Sequence, residues 1–325
     1  MGEGTNALTS RPQKRLEGTT GGGRGPPGQG GCHLQPPKIA LSLFGERKSM
    51  PASIPGFSTT PQALWSLIGT GHAPVIIDVC IDEDFSADPR LIPGAIRRAH
   101  KSVAEWAHEF AGRNIVVTCQ KGQKLSQGAA AILRASSVHA QFLIGGQFGW
   151  HEAGLPSMPS ASLPARTAQG HTLWVTRERP KIDRIACPWL IRRFVDPAAV
   201  FLFVEPAQVE AVADKFGATP FDVEGVFLSH RGDTCAFDTM IAEFGLASPA
   251  LARLALIVRG ADTGRLDLAP ESAGLLAVSL GLSRLYTDDL AQLAAGLGLY
   301  DALYLWCRDG THETHNWPVA ARASA

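Results

Sequence analysis

The sequence predicts an α/β protein, with a parallel sheet flanked by helices, followed by a second, mostly helical α+β domain. Between residues 60 and 155 short apolar runs such as Val75-Ile76-Ile77-Asp78-Val79 and Ile115-Val116-Val117-Thr118 alternate with helical patterns, as a parallel sheet requires. Residues 157–170, rich in Pro, Ser and Ala, read as a linker. Beyond residue 207 helical periodicities outnumber strands.

Taken in order, residues 1–57 hold a run made only of Gly, Pro, Gln and Arg (21–31) and cannot bury enough apolar surface to offset chain entropy. They are expected to be a disordered extension, with Met1 or Met50 as the start codon. The first domain spans 58–156. Its opening helix starts at Pro61 behind Thr60 as N-cap. A strand over 115–118 then delivers Cys119 to the loop Cys119-Gln120-Lys121-Gly122-Gln123-Lys124, and a helix follows from about Ser126. The second domain spans 171–310, with a strand at 173–177, a helix at 183–195 and a strand at 200–204. Helices are predicted at 207–216, 238–244, 249–259, 272–281 and 287–307. Residues 311–325 are expected to be a flexible tail.

With 325 residues the chain is long enough for two domains, and 45% hydrophobic with 18% charged residues is ordinary for a packed protein. A formal net charge of +0 gives no electrostatic case for nucleic acid. No apolar run approaches the roughly 18 residues of a membrane helix, so no membrane partner is expected. The six cysteines form no C-x-x-C pair or regular framework, which points to a reducing compartment and a cytoplasmic location.

Cys119 is the candidate catalytic residue. The loop amides from Gln120, Lys121, Gly122, Gln123 and Lys124, with the first free N–H groups of the next helix, would point at an anion there. Together with the Lys121 and Lys124 charges they favour thiolate over thiol. Cys80 reads as a packing residue, or as a resolving thiol at the same sheet end.

The motifs Val75-Ile76-Ile77-Asp78-Val79, Ile92-Pro93-Gly94-Ala95-Ile96, the Cys119 loop, and Phe142-Leu143-Ile144-Gly145-Gly146 with Trp150 together resemble a single rhodanese (sulfurtransferase) domain. The resemblance implies that Cys119 takes sulfane sulfur from a small-molecule donor such as thiosulfate, holds it as a persulfide and passes it to cyanide or a thiol acceptor. It implies an anion cradle from Gln120 to Lys124, a structural Asp78 and no cofactor. Relatives acting on phosphate or arsenate carry a loop one residue longer. The sequence departs from the family twice, with Cys80 where arginine is common and with Arg90-Leu91 where Gly-His is usual.

In the second domain, Lys181, Arg184, Arg192, Arg193 and His230 are candidate donors to an oxyanion, arginine forks being suited to tetrahedral anions. Arg184 and Arg192, about two turns apart, are expected to share a helix face near 12 Å separation. The alternative is a solvated basic face partnered by Asp183 and Asp196. His230, Cys235 and Asp238, with Asp262 and Glu271, are metal-ligand residue types, but their spacing matches no standard zinc pattern and no metal is assigned. The run from Lys181 to Phe194, with Pro220-Phe221-Asp222, Ser229-His230, Arg259-Gly260-Ala261-Asp262 and Tyr300-Asp301-Ala302-Leu303-Tyr304, resembles the ChrB-type chromate-resistance domain over residues 173–308. The resemblance implies a role in bacterial chromate response, by sensing the anion to control efflux or by accessory detoxification. A regulator of that type needs a DNA-reading segment, whereas here a rhodanese-like unit precedes the domain, so nucleic acid is not expected as a partner. The combined expectation is a sulfurtransferase coupled to chromate tolerance, the alternative a chromate or oxyanion sensor with a non-catalytic rhodanese domain.

Overall fold

The computed structural model describes residues 56–313. The expectations for residues 1–55 and 314–325, including the extension, the start codon and most of the tail, lie outside the described residues.

The first half is a five-stranded, wholly parallel sheet. In chain order its elements are β1 (Ser58–Thr59), α1 (Pro61–Trp65), β2 (Val75–Asp78), α2 (Asp82–Ala87), β3 (Arg90–Leu91), β4 (Ala95–Arg97), α3 (Val103–Trp106), β5 (Asn114–Thr118), α4 (Lys124–Ala135), β6 (His139–Leu143) and α5 (Gly146–Glu152). The strand order is β1-β6-β5-β2-β4, with β3 outside this sheet. β5 lies at the centre because Ile115, Val116, Val117 and Thr118 are all buried, as a strand covered on both faces demands. Helix α1 starts as expected, the Thr60 hydroxyl accepting the Ala63 amide at 3.2 Å with Pro61 in the first turn.

Within residues 157–170, β7 (Met158–Pro159) pairs antiparallel with β3, and Met158 is fully buried. The second half then runs β8 (Leu173–Arg177), α6 (Asp183–Leu190), β9 (Val200–Val204), α7 (Val209–Phe216), β10 (Thr219–Pro220), α8 (Ala236–Glu243), α9 (Pro249–Asp262), α10 (Ser272–Leu285) and α11 (Asp289–Leu305). Its strands form a small parallel sheet in the order β10-β8-β9, so helices dominate as predicted. The helix expected over 183–195 changes character part-way. Pro188 has no N–H to give the Arg184 carbonyl, and Ile191–Val195 widens into a π-helical turn.

The two halves share a core. The described residues, 56–313, lie in one compact unit, and a single apolar cluster runs from Leu64, Ile68 and Trp150 to Trp189, Phe194 and Tyr304. The Trp65 ring lies edge-to-face with Trp150 at 6.1 Å and tilted against Phe194 at 6.3 Å. Gly69, at φ +81°, is what allows this approach, since a Cβ there would lie 2.5 Å from Phe194 Cζ and 2.6 Å from Tyr304 Cε1. The Arg308 guanidinium donates to the Ser66 carbonyl at 2.8 Å across the same seam.

Candidate functional site

The strand-to-helix turn after β5 places Cys119 where the sequence expects it. Its side chain is 5% exposed, and its thiol donates to Ser126 Oγ at 3.2 Å. None of the backbone amides from Gln120 to Ser126 donates to an acceptor among the described residues, so they are free for an anion. Lys121, Gln123 and Lys124 are exposed around the loop, Gln120 is half-buried and Gly122 is buried. Helix α4 begins at Lys124, two residues earlier than the pattern suggested, which turns Lys124 into its first residue.

The loop is held from behind by Gly145-Gly146. The Gln147 amide donates to the Cys119 carbonyl and the Phe148 amide to the Gln120 carbonyl, both at 3.0 Å, so the first-turn amides of α5 bind the loop's carbonyls. Gly146 has φ +58°, and a Cβ on it would run into the Cys119 carbonyl and the Gly122 amide. Gly122, at φ +65°, is packed as closely, 2.5 Å separating its would-be Cβ from the Gly146 nitrogen. Both positions need glycine.

Asp78 ends β2 fully buried, its Oδ1 accepting the Cys80 amide at 2.9 Å. Burial raises its carboxyl above the ordinary range. Cys80 packs in the same apolar cluster as Cys119, and burial, followed by the Asp78 charge, pushes its thiol well up. A cavity of about 20 Å³ beside the loop is lined by Cys80, Asp84, Phe85, Gln120, Gln147 and Phe148 among others.

In the second half the five oxyanion candidates do not converge. Arg193 forks onto Asp301 through two 2.7 Å bonds. Arg192 lies over the Phe201 ring at 5.1 Å and reaches the Ala199 carbonyl at 3.3 Å. The π-helical turn breaks the α-helical spacing on which a shared face for Arg184 and Arg192 was expected. Lys181 is exposed. Only Arg184 and His230 come together, and they meet over acids: Arg184 Nε lies 3.3 Å from Asp222 Oδ2, and His230 Nε2 lies 3.3 Å from Asp222 Oδ1. The same imidazole nitrogen is 3.3 Å from Asp262 Oδ2 and 3.6 Å from Asp183 Oδ2.

Three carboxylates facing one imidazole decide the electrostatics. The hydrogen bond to Asp222 leads in raising the His230 pKa to about 9, with Asp183, Asp222 and Asp262 charges adding against its burial. Burial, then the Asp262 and Asp222 charges, pushes Asp183 well above the ordinary carboxylate range. Burial and Asp222 raise Asp262 likewise. His230 and Asp222 also line an open cavity of about 530 Å³ with Arg177 and Ser229. Of the remaining metal-type residues, Cys235 and Asp238 are taken up with each other and with Arg259, whose Nε lies 3.2 Å from Asp238 Oδ2. Glu271 stands before the first turn of α10.

Asp183 and Asp222 are the members that sequence reasoning did not place in a site. A signal existed for Asp183: it is an acid among Ile182, Ile185, Ala186 and Trp189, the apolar stripe of its own helix.

Comparisons with known proteins agree with this division. Residues 60–153 match the family "Rhodanese-like domain", and residues 174–307 match "ChrB, C-terminal domain". Over 155 residues the chain is 37% identical to Protein ChrB of Cupriavidus metallidurans, covering 46% of each, so it spans about half the length of that curated relative. Among solved structures, SSP1007 of Staphylococcus saprophyticus is similar over 29% of this chain and 93% of its own, at 23% identity and TM-score 0.27. A rhodanese-related protein of Thermoplasma volcanium is similar over 32% of this chain and 100% of its own, at 20% identity and TM-score 0.28. No helix among the described residues is long and apolar enough to cross a membrane. The chain thus joins a rhodanese-like domain at residues 60–153 to a ChrB C-terminal domain at residues 174–307.

Proposed function

We propose that this chain is a sulfurtransferase that works in chromate tolerance, with Cys119 as the sulfur carrier. The observation that carries the reading is Cys119 at the base of a loop whose amides, Gln120 to Ser126, have no acceptor among the described residues. Such a cradle suits an anionic sulfur donor held beside the Cys119 sulfur. The thiolate attacks the outer sulfur of thiosulfate, forming an S–S bond and releasing sulfite as the donor's own S–S bond breaks. Cyanide or a thiolate then attacks the terminal sulfur of the persulfide, and the Cys119 thiolate leaves with the bonding electron pair. Ser126 Oγ accepts the Cys119 thiol at 3.2 Å and donates to the Gln123 carbonyl at 3.2 Å; turning its hydroxyl from that carbonyl would let it donate to the anionic sulfur. The ChrB C-terminal domain in the same chain supports the link to chromate.

A second reading is a sensor or docking module with a non-catalytic rhodanese fold. It is favoured by the 5% exposure of Cys119 and by the small cavity beside it, about 20 Å³, room for about one water. Thiosulfate:cyanide turnover by the full chain separates the two, with Cys119→Ser as control. Thiocyanate formed above that control, with one added sulfur on Cys119 by mass spectrometry, supports transfer; turnover equal to the control supports the second reading.

A further inference from the structure

We propose that Asp183, His230 and Asp262 form a binding site for one divalent ion of the manganese, iron or zinc class, reached from the cavity that His230 lines. The three supply ligand atoms that all lie within 4.8 Å of one another. Donors bound to one ion at about 2.0–2.2 Å are roughly 2.8–3.6 Å apart at octahedral or tetrahedral angles. The separations from His230 Nε2, 3.3 Å to Asp262 and 3.6 Å to Asp183, match that spacing.

The second, independent observation is the state of Asp183. It is 0% exposed, its Oδ2 takes the Ala236 amide at 2.7 Å and the Phe237 amide at 3.3 Å, and its Oδ1 is buried with no hydrogen-bond partner. A fully buried carboxylate with an unused oxygen, set against two further carboxylates, is expensive unless it takes up a proton or a cation joins it. His230 does not satisfy the group alone. A protonated imidazole offers one hydrogen at Nε2, while Asp183, Asp222 and Asp262 all face that nitrogen. Arg184 answers Asp222 at 3.3 Å, which leaves Asp183 and Asp262 sharing what remains. A dication meets both carboxylates and the imidazole lone pair at once.

The surroundings suit a built site. Asp183 is the first residue of α6, and Ile182 before it holds the strained values φ 36° and ψ −93°, its carbonyl fixed by the Tyr300 hydroxyl at 3.0 Å. Strain of this kind persists only where packing enforces it, and it sets the direction of the Asp183 side chain. His230 is 41% exposed on the cavity side, so an ion can enter without unfolding. An imidazole with carboxylates and no thiolate suits manganese, iron(II) or zinc. The Cys235 thiol borders the set, within hydrogen-bond reach of Asp183 and engaged with Asp238 Oδ2 at 3.2 Å; burial and the surrounding carboxylates keep it a neutral thiol and not a thiolate ligand.

The test uses the full chain, stripped with chelator and titrated with Mn²⁺, free ion being read by electron paramagnetic resonance and Zn²⁺ used as competitor. The expected result is about one ion per chain, displaced by Zn²⁺. His230→Gln and Asp262→Asn should each weaken binding by at least ~10-fold, with circular dichroism matching the parent and Lys181→Gln unchanged. These two positions are exposed or partly exposed, so they remain decisive if Asp183→Asn does not fold. Absence of saturable binding of either ion up to about 1 mM, the limit of weak affinity, overturns the proposal. Binding that survives both substitutions unchanged overturns it as well.

Discussion

Replacing Gly146 by alanine tests how the Cys119 loop is held. The new Cβ would overlap the Cys119 carbonyl and the Gly122 amide and lie 2.9 Å from the Gln120 carbonyl. All three are backbone atoms, so no side-chain rotation relieves the clash. Alanine at φ +58° adds about 1–2 kcal/mol of left-handed strain. Pushing the loop away strains the Gln147 and Phe148 amide bonds, each worth about 0.5–1.5 kcal/mol. The total, about 3 kcal/mol, corresponds to a melting temperature lower by roughly 4–6 °C for a folded unit of more than about 250 residues. Because Cys119 itself must move, sulfur transfer should fall far more than stability, a displacement of about 1 Å costing on the order of 100-fold. Circular dichroism melts and thiosulfate:cyanide turnover measure the two effects. Gly128→Ala in α4 is the matched control: nothing lies within 4 Å of its would-be Cβ, and alanine there should stabilise by about 0.5–1 kcal/mol. A Gly146→Ala protein that melts within about 1 °C of the parent would refute the close-packing argument, whatever the turnover.

Two further outcomes follow from the packing. Gly69→Ala drives a methyl group into Phe194 and Tyr304 at a positive φ and should cost about 2–5 kcal/mol from overpacking and strain; urea denaturation followed by tryptophan fluorescence and by far-ultraviolet dichroism should shift equally in both signals. Asp301→Asn removes the charge that Arg193 grips through two 2.7 Å bonds and should lower stability by about 1.5–3 kcal/mol, without changing turnover at Cys119.

Much of the sheet and of the Cys119 turn was legible because both are local. Alternating apolar runs, Thr60-Pro61 at a helix start and a Gly-containing loop after β-branched residues each act over a few positions. Within the acid cluster His230 and Asp262 were legible as metal-ligand residue types, whereas Asp183 and Asp222 were not, because the four residues are brought together by three separate segments, the start of α6, the connection between β10 and α8, and the end of α9. Arg192 and Arg193 misled for a related reason: α-helical spacing was extrapolated through Pro188, and the π-helical turn after it sent the two side chains to Ala199 and Asp301 instead. Strands as short as β3 and β7 carry too few residues to show a period at all.

The aromatic seam of Trp65, Trp150, Phe194 and Tyr304 also decides how the gene can be dissected. Cutting the chain between residues 157 and 170 would leave each fragment with a bare aromatic face, the situation of a subunit deprived of its obligate mate. A fragment that precipitates would then report on its exposed rings and not on its chemistry. Assigning sulfur handling to one half and metal or oxyanion handling to the other therefore belongs to point substitutions in the intact chain, with Cys119 and His230 as the natural pair for a double-mutant cycle.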